Sequence, residues 1–266
     1  MLLAVSCGKE KSPRILVLYY SQNGGTKAVA EAIQSRLGAD IEAIVPTIPY
    51  DGDFQATIER SRKELDGESP EIQPVAADIK SYDVIFLGYP IWFGTYATPV
   101  ATVLKEVDLG GKKVVPFCTF GSGGLDSSVE DLKKNIPDAE VLPGYGVRAA
   151  RIEAAPAEVE RFLVAGGFIE GEGQEVEEFS ETRDVTPEEA SIFQTAVGDY
   201  PMMAGAMAEK VASRAIPGGM EYLFTAKTMP REGMPGPGPG PGMDRPMKVY
   251  VLAEDGKAPV FTQVVR

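Results

Sequence analysis

Three apolar runs, residues 15–20 (ILVLYY), 83–89 (DVIFLGY) and 113–119 (KVVPFCT), constrain this chain more than any other feature. Runs rich in β-branched and aromatic residues, with no polar alternation, suit strands covered on both faces. Each is followed by a glycine-bearing turn and then by a segment of helical period. Between them, residues 40–45 (DIEAIV) alternate and stop at Pro46, which suits a second strand, and Phe54–Leu65 has a short helical pattern. Residues 98–107 read as a helix that tolerates Pro99 in its first turn. Leu125–Asn135 is amphipathic, a weaker strand lies within residues 140–149, and residues 157–165 make a further helix. Strands alternating with helices predict an α/β fold with a doubly wound parallel sheet. In such sheets ligands sit beyond the carboxyl ends of the strands, near the point where strand order reverses. The turns at residues 21–26, 90–96 and 119–124 all leave carboxyl ends, so the pattern predicts that they meet on one rim.

The first of these turns is Ser21-Gln22-Asn23-Gly24-Gly25-Thr26, and the helical segment after it places Ala28, Val29, Ala32, Ile33 and Leu37 on one face. A strand, a glycine-containing loop and a helix N-terminus make an anion site, because first-turn N–H groups lack helical partners and the helix dipole favours negative charge. Gly24 and Gly25 let the backbone approach a ligand, and Ser21, Asn23 and Thr26 offer side-chain groups to phosphate oxygens. The spacing matches neither the G-x-G-x-x-G nor the G-x-x-x-x-G-K-[ST] loop. It resembles the phosphate loop of flavodoxins, [ST]-x-T-G-x-T, with Asn23 where that pattern has Thr. Asn keeps an amide donor and tolerates left-handed backbone. The alternative reading is an ordinary strand-to-helix turn with its caps.

Composition removes several function classes. A formal charge of −13 opposes a nucleic-acid backbone. With no histidine in the chain, the commonest general base and any Ser-His-Asp or Cys-His arrangement are excluded. Cys7 and Cys118 are the only thiols, so a zinc site of the usual kind is excluded as well. No metal and no catalytic side chain is expected, and the chemistry falls to a bound cofactor or to carboxylates. No apolar run reaches transmembrane length. Residues 2–8 (LLAVSCG) end like a bacterial lipoprotein signal, although the apolar part is short and lacks a basic start. The expectation is a signal remnant with Cys7 lipidated and the protein facing the periplasm from the cell envelope. An incidental terminal cysteine on a cytoplasmic protein is the alternative.

The flavodoxin resemblance extends over residues 14–167. Ile85-Phe86-Leu87-Gly88-Tyr89-Pro90-Ile91-Trp92-Phe93-Gly94-Thr95 is similar to the family's second flavin loop, which lays an aromatic residue beside the isoalloxazine. Thr119-Phe120-Gly121-Ser122-Gly123-Gly124 resembles the third loop, which follows the ring's polar edge. The resemblance implies FMN as cofactor, with Ser21, Asn23, Gly24, Gly25 and Thr26 on the phosphate and Lys27 adding charge. Pro90, Ile91, Trp92, Phe93, Gly94 and Thr95 then line the ring, with Thr119, Phe120, Gly121, Ser122 and Gly124 along its polar edge. Trp92 is the leading candidate for ring contact, because it is the only tryptophan and follows a Gly-Tyr-Pro exit from a buried strand. The flavin performs the electron chemistry and the protein tunes it. The partner is a redox protein or a small-molecule electron acceptor of quinone type. The competing class is an FMN-free, flavodoxin-shaped module that docks a partner through its C-terminal domain.

That C-terminal third begins with a glycine- and glutamate-rich stretch read as a linker over residues 169–185. Thr186 as N-cap and Pro187 at the first helical position open a helix, with acids in its first turn. Pro201 interrupts it, and residues 202–215 (MMAGAMAEKVASRA) read as a continuation in helical style. Residues 221–227, 248–252 and 260–265 read as three strands, with residues 236–242 (GPGPGPG) forming an exposed hairpin loop. Residues 211–222 faintly resemble the helix-to-strand passage and Q-x-V-x-G segment of cystatins, with Arg214 in place of Gln. The expected organisation is a tether at residues 1–13, a flavodoxin-like five-stranded domain at 14–168, the linker, and a small cystatin-like α+β domain at 186–266.

Overall fold

The computed structural model describes residues 12–50, 53–67, 69–173, 177–198, 200–228 and 246–265. Cys7, the proposed lipidation site, and the glycine-proline run at 236–242 both lie outside the described residues. The described residues form two compact units. The first runs to Cys118 and resumes over Ser127–Tyr145, and the second comprises Thr119–Asp126 and the chain from Gly146 onward.

The elements of the first sheet are β1 (Ile15–Tyr19), α1 (Gly25–Leu37), β2 (Asp40–Ala43), α2 (Phe54–Leu65), β3 (Val84–Trp92), β4 (Thr95–Tyr96), α3 (Thr98–Glu106), β5 (Lys113–Phe120), α4 (Leu125–Asn135), β6 (Glu140–Val141) and β7 (Tyr145–Arg148). Strand order is β2-β1-β3-β5-β6, with β4 paired to β3 and β7 to β5. β1 pairs in parallel with both β2 and β3, and β5 in parallel with β6. This is the predicted doubly wound parallel sheet. Val17, Leu18, Ile85, Phe86, Leu87, Val114 and Val115 are fully buried, as strands covered on both faces must be. The weak strand expected within residues 140–149 is split, because β6 and β7 are separate short pieces on β5.

Then follow α5 (Ala155–Ala165), β8 (Arg183–Asp184), α6 (Pro187–Val197), β9 (Ala206–Ile216), β10 (Gly219–Thr228), β11 (Met247–Glu254) and β12 (Val260–Val265). The last five strands make an antiparallel sheet in the order β12-β11-β10-β9-β8. Phe193 and Val197 of α6 pack into its core with Val211, Phe224, Val249, Val251 and Phe261.

Two sequence expectations are corrected here. Residues 206–216 are strand, not helix. Helix propensity, alanine's included, is a weak prior that tertiary pairing overrides; here the segment pairs with β10 along its length, apart from a register shift at Thr225/Ala226, and buries Ala206, Val211 and Ala212. Gly205, with φ of 78°, ends the preceding turn in a conformation suited to glycine. It follows that residues 211–222 are strand, turn and strand, not the helix-to-strand passage on which the cystatin resemblance stood. Secondly, Arg183 and Asp184, expected within a linker, pair with Val211 and Lys210 as an edge strand.

Candidate functional site

The β1 exit is built as an open anion cradle. After Tyr19 the Tyr20 N–H donates to the Gly88 carbonyl at 2.9 Å, holding the turn beside β3. Ser21 Oγ accepts from the Gly24 N–H at 3.2 Å. Gly24 takes up the N-cap position of α1 with φ of 90° and ψ of −16°, a left-handed geometry that strains any residue with a Cβ. No side chain caps this helix and no acid stands in its first turn. Ser21 and Gly25 are half-buried, while Gln22, Asn23, Gly24 and Lys27 are exposed. Thr26 is buried, 1 % exposed. Lys27 lies 3.7 Å from Glu31 on the exposed side of α1. Gln22 Nε2 donates to Thr57 Oγ1 of α2 at 3.2 Å.

The second predicted loop is more ordered than its sequence suggests. β3 continues through Pro90 and Ile91 to Trp92, and β4 returns beside it with Trp92 opposite Thr95 and Ile91 opposite Tyr96. The two residues between are Phe93 and Gly94, with φ of 51° and 84°, the left-handed pair that a two-residue hairpin turn needs. Phe93 is the only non-glycine residue with positive φ among the described residues, and it is 49 % exposed. The Arg62 guanidinium lies 5.6 Å from its ring centroid. Ser127 Oγ of α4 donates to the Gly94 carbonyl, anchoring the turn.

These two loops come together through an aromatic cluster. Trp92 meets Tyr20 edge-on at 5.7 Å between centroids and Tyr50 at 5.0 Å, and the two tyrosines lie 6.0 Å apart. Tyr50 is held from several sides: its hydroxyl bonds Glu64 and, at 3.0 Å, Thr98, and Arg60 stacks 3.7 Å from its ring centroid. Arg60 in turn donates to Glu64 at 2.8 Å and to the carbonyls of Ile48 and Pro49. Burial pushes the Tyr20 and Tyr50 hydroxyls above the ordinary tyrosine range, and the Glu64 hydrogen bond raises Tyr50 further. Both stay protonated at neutral pH. The cluster is thus a set of rings meeting edge-on, with Tyr20 and Tyr50 buried and Trp92 half-buried.

The third predicted loop is ordered by different neighbours. Thr119 and Phe120 are buried at the end of β5, and residues 119–126 cluster with the second unit. Tyr20, Tyr50, Arg60, Glu64 and Thr98 were not singled out by the sequence. The paired tyrosines closing residues 15–20 were the available signal for Tyr20. Tyr50 stands in an irregular Pro-Tyr stretch that carries none.

A flavodoxin family model matches residues 14–157. An NAD(P)H dehydrogenase (quinone) of Gluconacetobacter diazotrophicus is 34% identical over 95 residues, covering 34% of this chain and 44% of the relative. Another of that name, from Cupriavidus metallidurans, is 31% identical over 98 residues, covering 35% of this chain and 46% of the relative. The match thus spans less than half the length of these curated relatives. Among solved structures, a Bacteroides eggerthii protein assigned as a flavoprotein superposes with a TM-score of 0.52 at 31% identity, over 58% of this chain and 98% of its own.

Proposed function

The chain belongs to the flavodoxin family, and on that premise we propose that it binds FMN and uses it to reduce a quinone-type acceptor with NAD(P)H as donor. The observation that carries the reading is the β1 exit: a glycine-bent loop opening a helix of 13 residues with no side-chain cap and no acid in its first turn. Such an end suits a phosphate, which accepts the first-turn N–H groups and complements the positive end of the dipole. Beside it, the half-buried Trp92, backed by the buried Tyr20 and Tyr50, and the exposed Phe93 supply aromatic surface of the kind a flat ring requires. The residues present therefore fit FMN.

In this reading the backbone of Gly24 and Gly25, with Ser21 and Asn23, holds the phosphate, and the buried Thr26 supports the loop from behind. Trp92 and Phe93 flank the ring, with Pro90, Ile91, Gly94 and Thr95 shaping the turn that carries them. Bound FMN supplies the electron chemistry, accepting a hydride and delivering electrons to the acceptor. The protein's own part is to bind and orient, which agrees with tyrosine hydroxyls that stay protonated. Relatives named for NAD(P)H-dependent quinone reduction support this acceptor class. They lend nothing to the FMN-free docking module.

The test is a titration of purified protein with FMN and riboflavin, followed by assay with NADH or NADPH and 1,4-benzoquinone. Stoichiometric FMN binding and FMN-dependent quinone reduction are expected. Absence of FMN binding would sink the proposal, and binding without quinone reduction would leave only an electron carrier to a protein partner.

A further inference from the structure

Glu64 stands where an isolated helix would not favour an acid. It lies in the last turn of α2, at the negative end of the helix dipole. Its partner Arg60 precedes it by four residues, the weaker order for such a pair. The Glu64 side chain is 9 % exposed, so burial adds a desolvation cost. A residue that breaks local preference in this way is retained for what it holds in place.

What Glu64 holds is Tyr50. Its Oε2 accepts from the Tyr50 hydroxyl and, at 2.6 Å, from the Thr98 hydroxyl at the start of α3. Its Oε1 accepts from Arg60 Nε at 2.8 Å. The Arg60 Nη1 donates to the Ile48 and Pro49 carbonyls, and the guanidinium lies over the Tyr50 ring. Residues 48–50 belong to no helix or strand, so these side-chain bonds do what a backbone ladder does elsewhere. The ring so fixed meets Trp92 edge-on at 5.0 Å. Trp92 closes a two-residue hairpin and is only half-buried, so its ring takes its orientation from the side chains packed against it.

We propose that Glu64 is a positioning residue for the flavin: through Tyr50 it sets the Trp92 ring before the isoalloxazine arrives. The inference rests on the FMN reading above. A wall already in its bound orientation spares the ordering cost that binding otherwise carries. Glu64, Arg60, Thr98, Tyr50 and Trp92 all belong to the first compact unit.

Trp92 is the only tryptophan in the chain, so intrinsic tryptophan fluorescence reads it directly. The experiment compares the full chain with Glu64→Gln, Tyr50→Phe and the double variant. Glu64→Gln removes the charge at nearly constant shape, and Tyr50→Phe removes one oxygen atom and keeps the ring. Acrylamide quenching and fluorescence anisotropy are read on the cofactor-free protein. Affinities for FMN and riboflavin, and visible circular dichroism, are read on the flavin-bound form. Each single variant should raise the quenching of Trp92, lower its anisotropy and change the dichroism of the bound ring. Each should weaken FMN and riboflavin by the same factor, about three- to tenfold. The double variant should lose no more than the more affected single one, because the two substitutions break the same bond. Four results would overturn the proposal: unchanged Trp92 fluorescence, altered fluorescence with flavin affinity and dichroism unchanged, loss of FMN affinity with riboflavin unaffected, or a double variant that loses the sum of the two. Should Glu64→Gln fail to fold, Tyr50→Phe decides by the same readings. Failure of the unsubstituted chain to bind FMN would instead remove the functional reading itself, and it would be seen before any variant was made.

Discussion

Phe93 holds a left-handed backbone, φ of 51°, in a position where its ring is half exposed. For a bulky residue this conformation costs about 1 kcal/mol. Phe93→Asn relieves the strain, because Asn tolerates the left-handed region. The expected outcome is a cofactor-free protein stabilised by about 1 kcal/mol in chemical denaturation, together with weaker FMN binding. A stabilised protein with undiminished FMN affinity would show that the strain serves something other than the flavin. Gly24 makes the converse case. Its φ of 90° sits at the start of α1, and Gly24→Ala adds a Cβ in open space but in strained backbone. The loop should lose part of its cradle shape, costing FMN about tenfold (about 1.4 kcal/mol) and riboflavin far less. Equal losses for the two would move the phosphate elsewhere. The Gly24 turn was legible in the sequence, since glycine placement is a local signal, and Trp92 was noticed as a lone tryptophan after a buried strand, but the hairpin that closes at Phe93 and Gly94 was read only as a loop. Tyr50 was not, because its hydroxyl partners, Glu64 and Thr98, are brought to it by α2 and α3.

Among elements, α6 was read from its start signals and β9 was missed. Thr186, Pro187 and Glu189 form a complete capping box, with the Thr186 hydroxyl accepting from the Glu189 N–H and the Glu189 carboxylate accepting from the Thr186 N–H. That information lies within four residues. β9 was misread because its alanine-rich composition describes an isolated segment, while its state is decided by a partner strand that begins three residues after it ends. The capping box makes a stability prediction. Glu189 also accepts two hydrogen bonds from Arg183, and these chiefly hold its carboxyl down at about 2, burial opposing them. A carboxylate lowered in the folded state stabilises fully above its unfolded value, near 4.5, and loses that contribution as pH falls toward about 2. Screening of the half-exposed Arg183 leaves about 1–2 kcal/mol of it. Urea unfolding should therefore find Glu189→Gln less stable than the natural chain by that amount at pH 7. The gap should close progressively between pH 4.5 and pH 2. A gap that persists at the acid end would assign the loss to packing and not to charge. Thr186→Ala should cost about 1 kcal/mol at neutral pH.

At the scale of the molecule, the parallel sheet followed from strand and helix alternation, whereas its strand order is a finding of the structure. The boundary between the units did not follow, since it is written in contacts such as Val264 with Ser122 that no local pattern announces. Net charge acts at this same scale and yields a prediction about rate. A chain of charge −13 repels anions at long range, over a Debye length that shrinks from about 30 Å at 10 mM salt to about 3 Å at 1 M. Close to the rim the field is mixed, because Arg62 stands over Phe93 and Arg60 over Tyr50. Reoxidation of the reduced flavoprotein by ferricyanide, a trivalent anion, is governed by whichever field the acceptor meets first. If the global charge governs the encounter, its rate rises several-fold with salt, while reoxidation by neutral 1,4-benzoquinone stays nearly flat. Stopped-flow reoxidation at several ionic strengths separates the cases. A ferricyanide rate that falls with salt would mean that the two arginines draw the acceptor in and outweigh the negative charge of the whole chain.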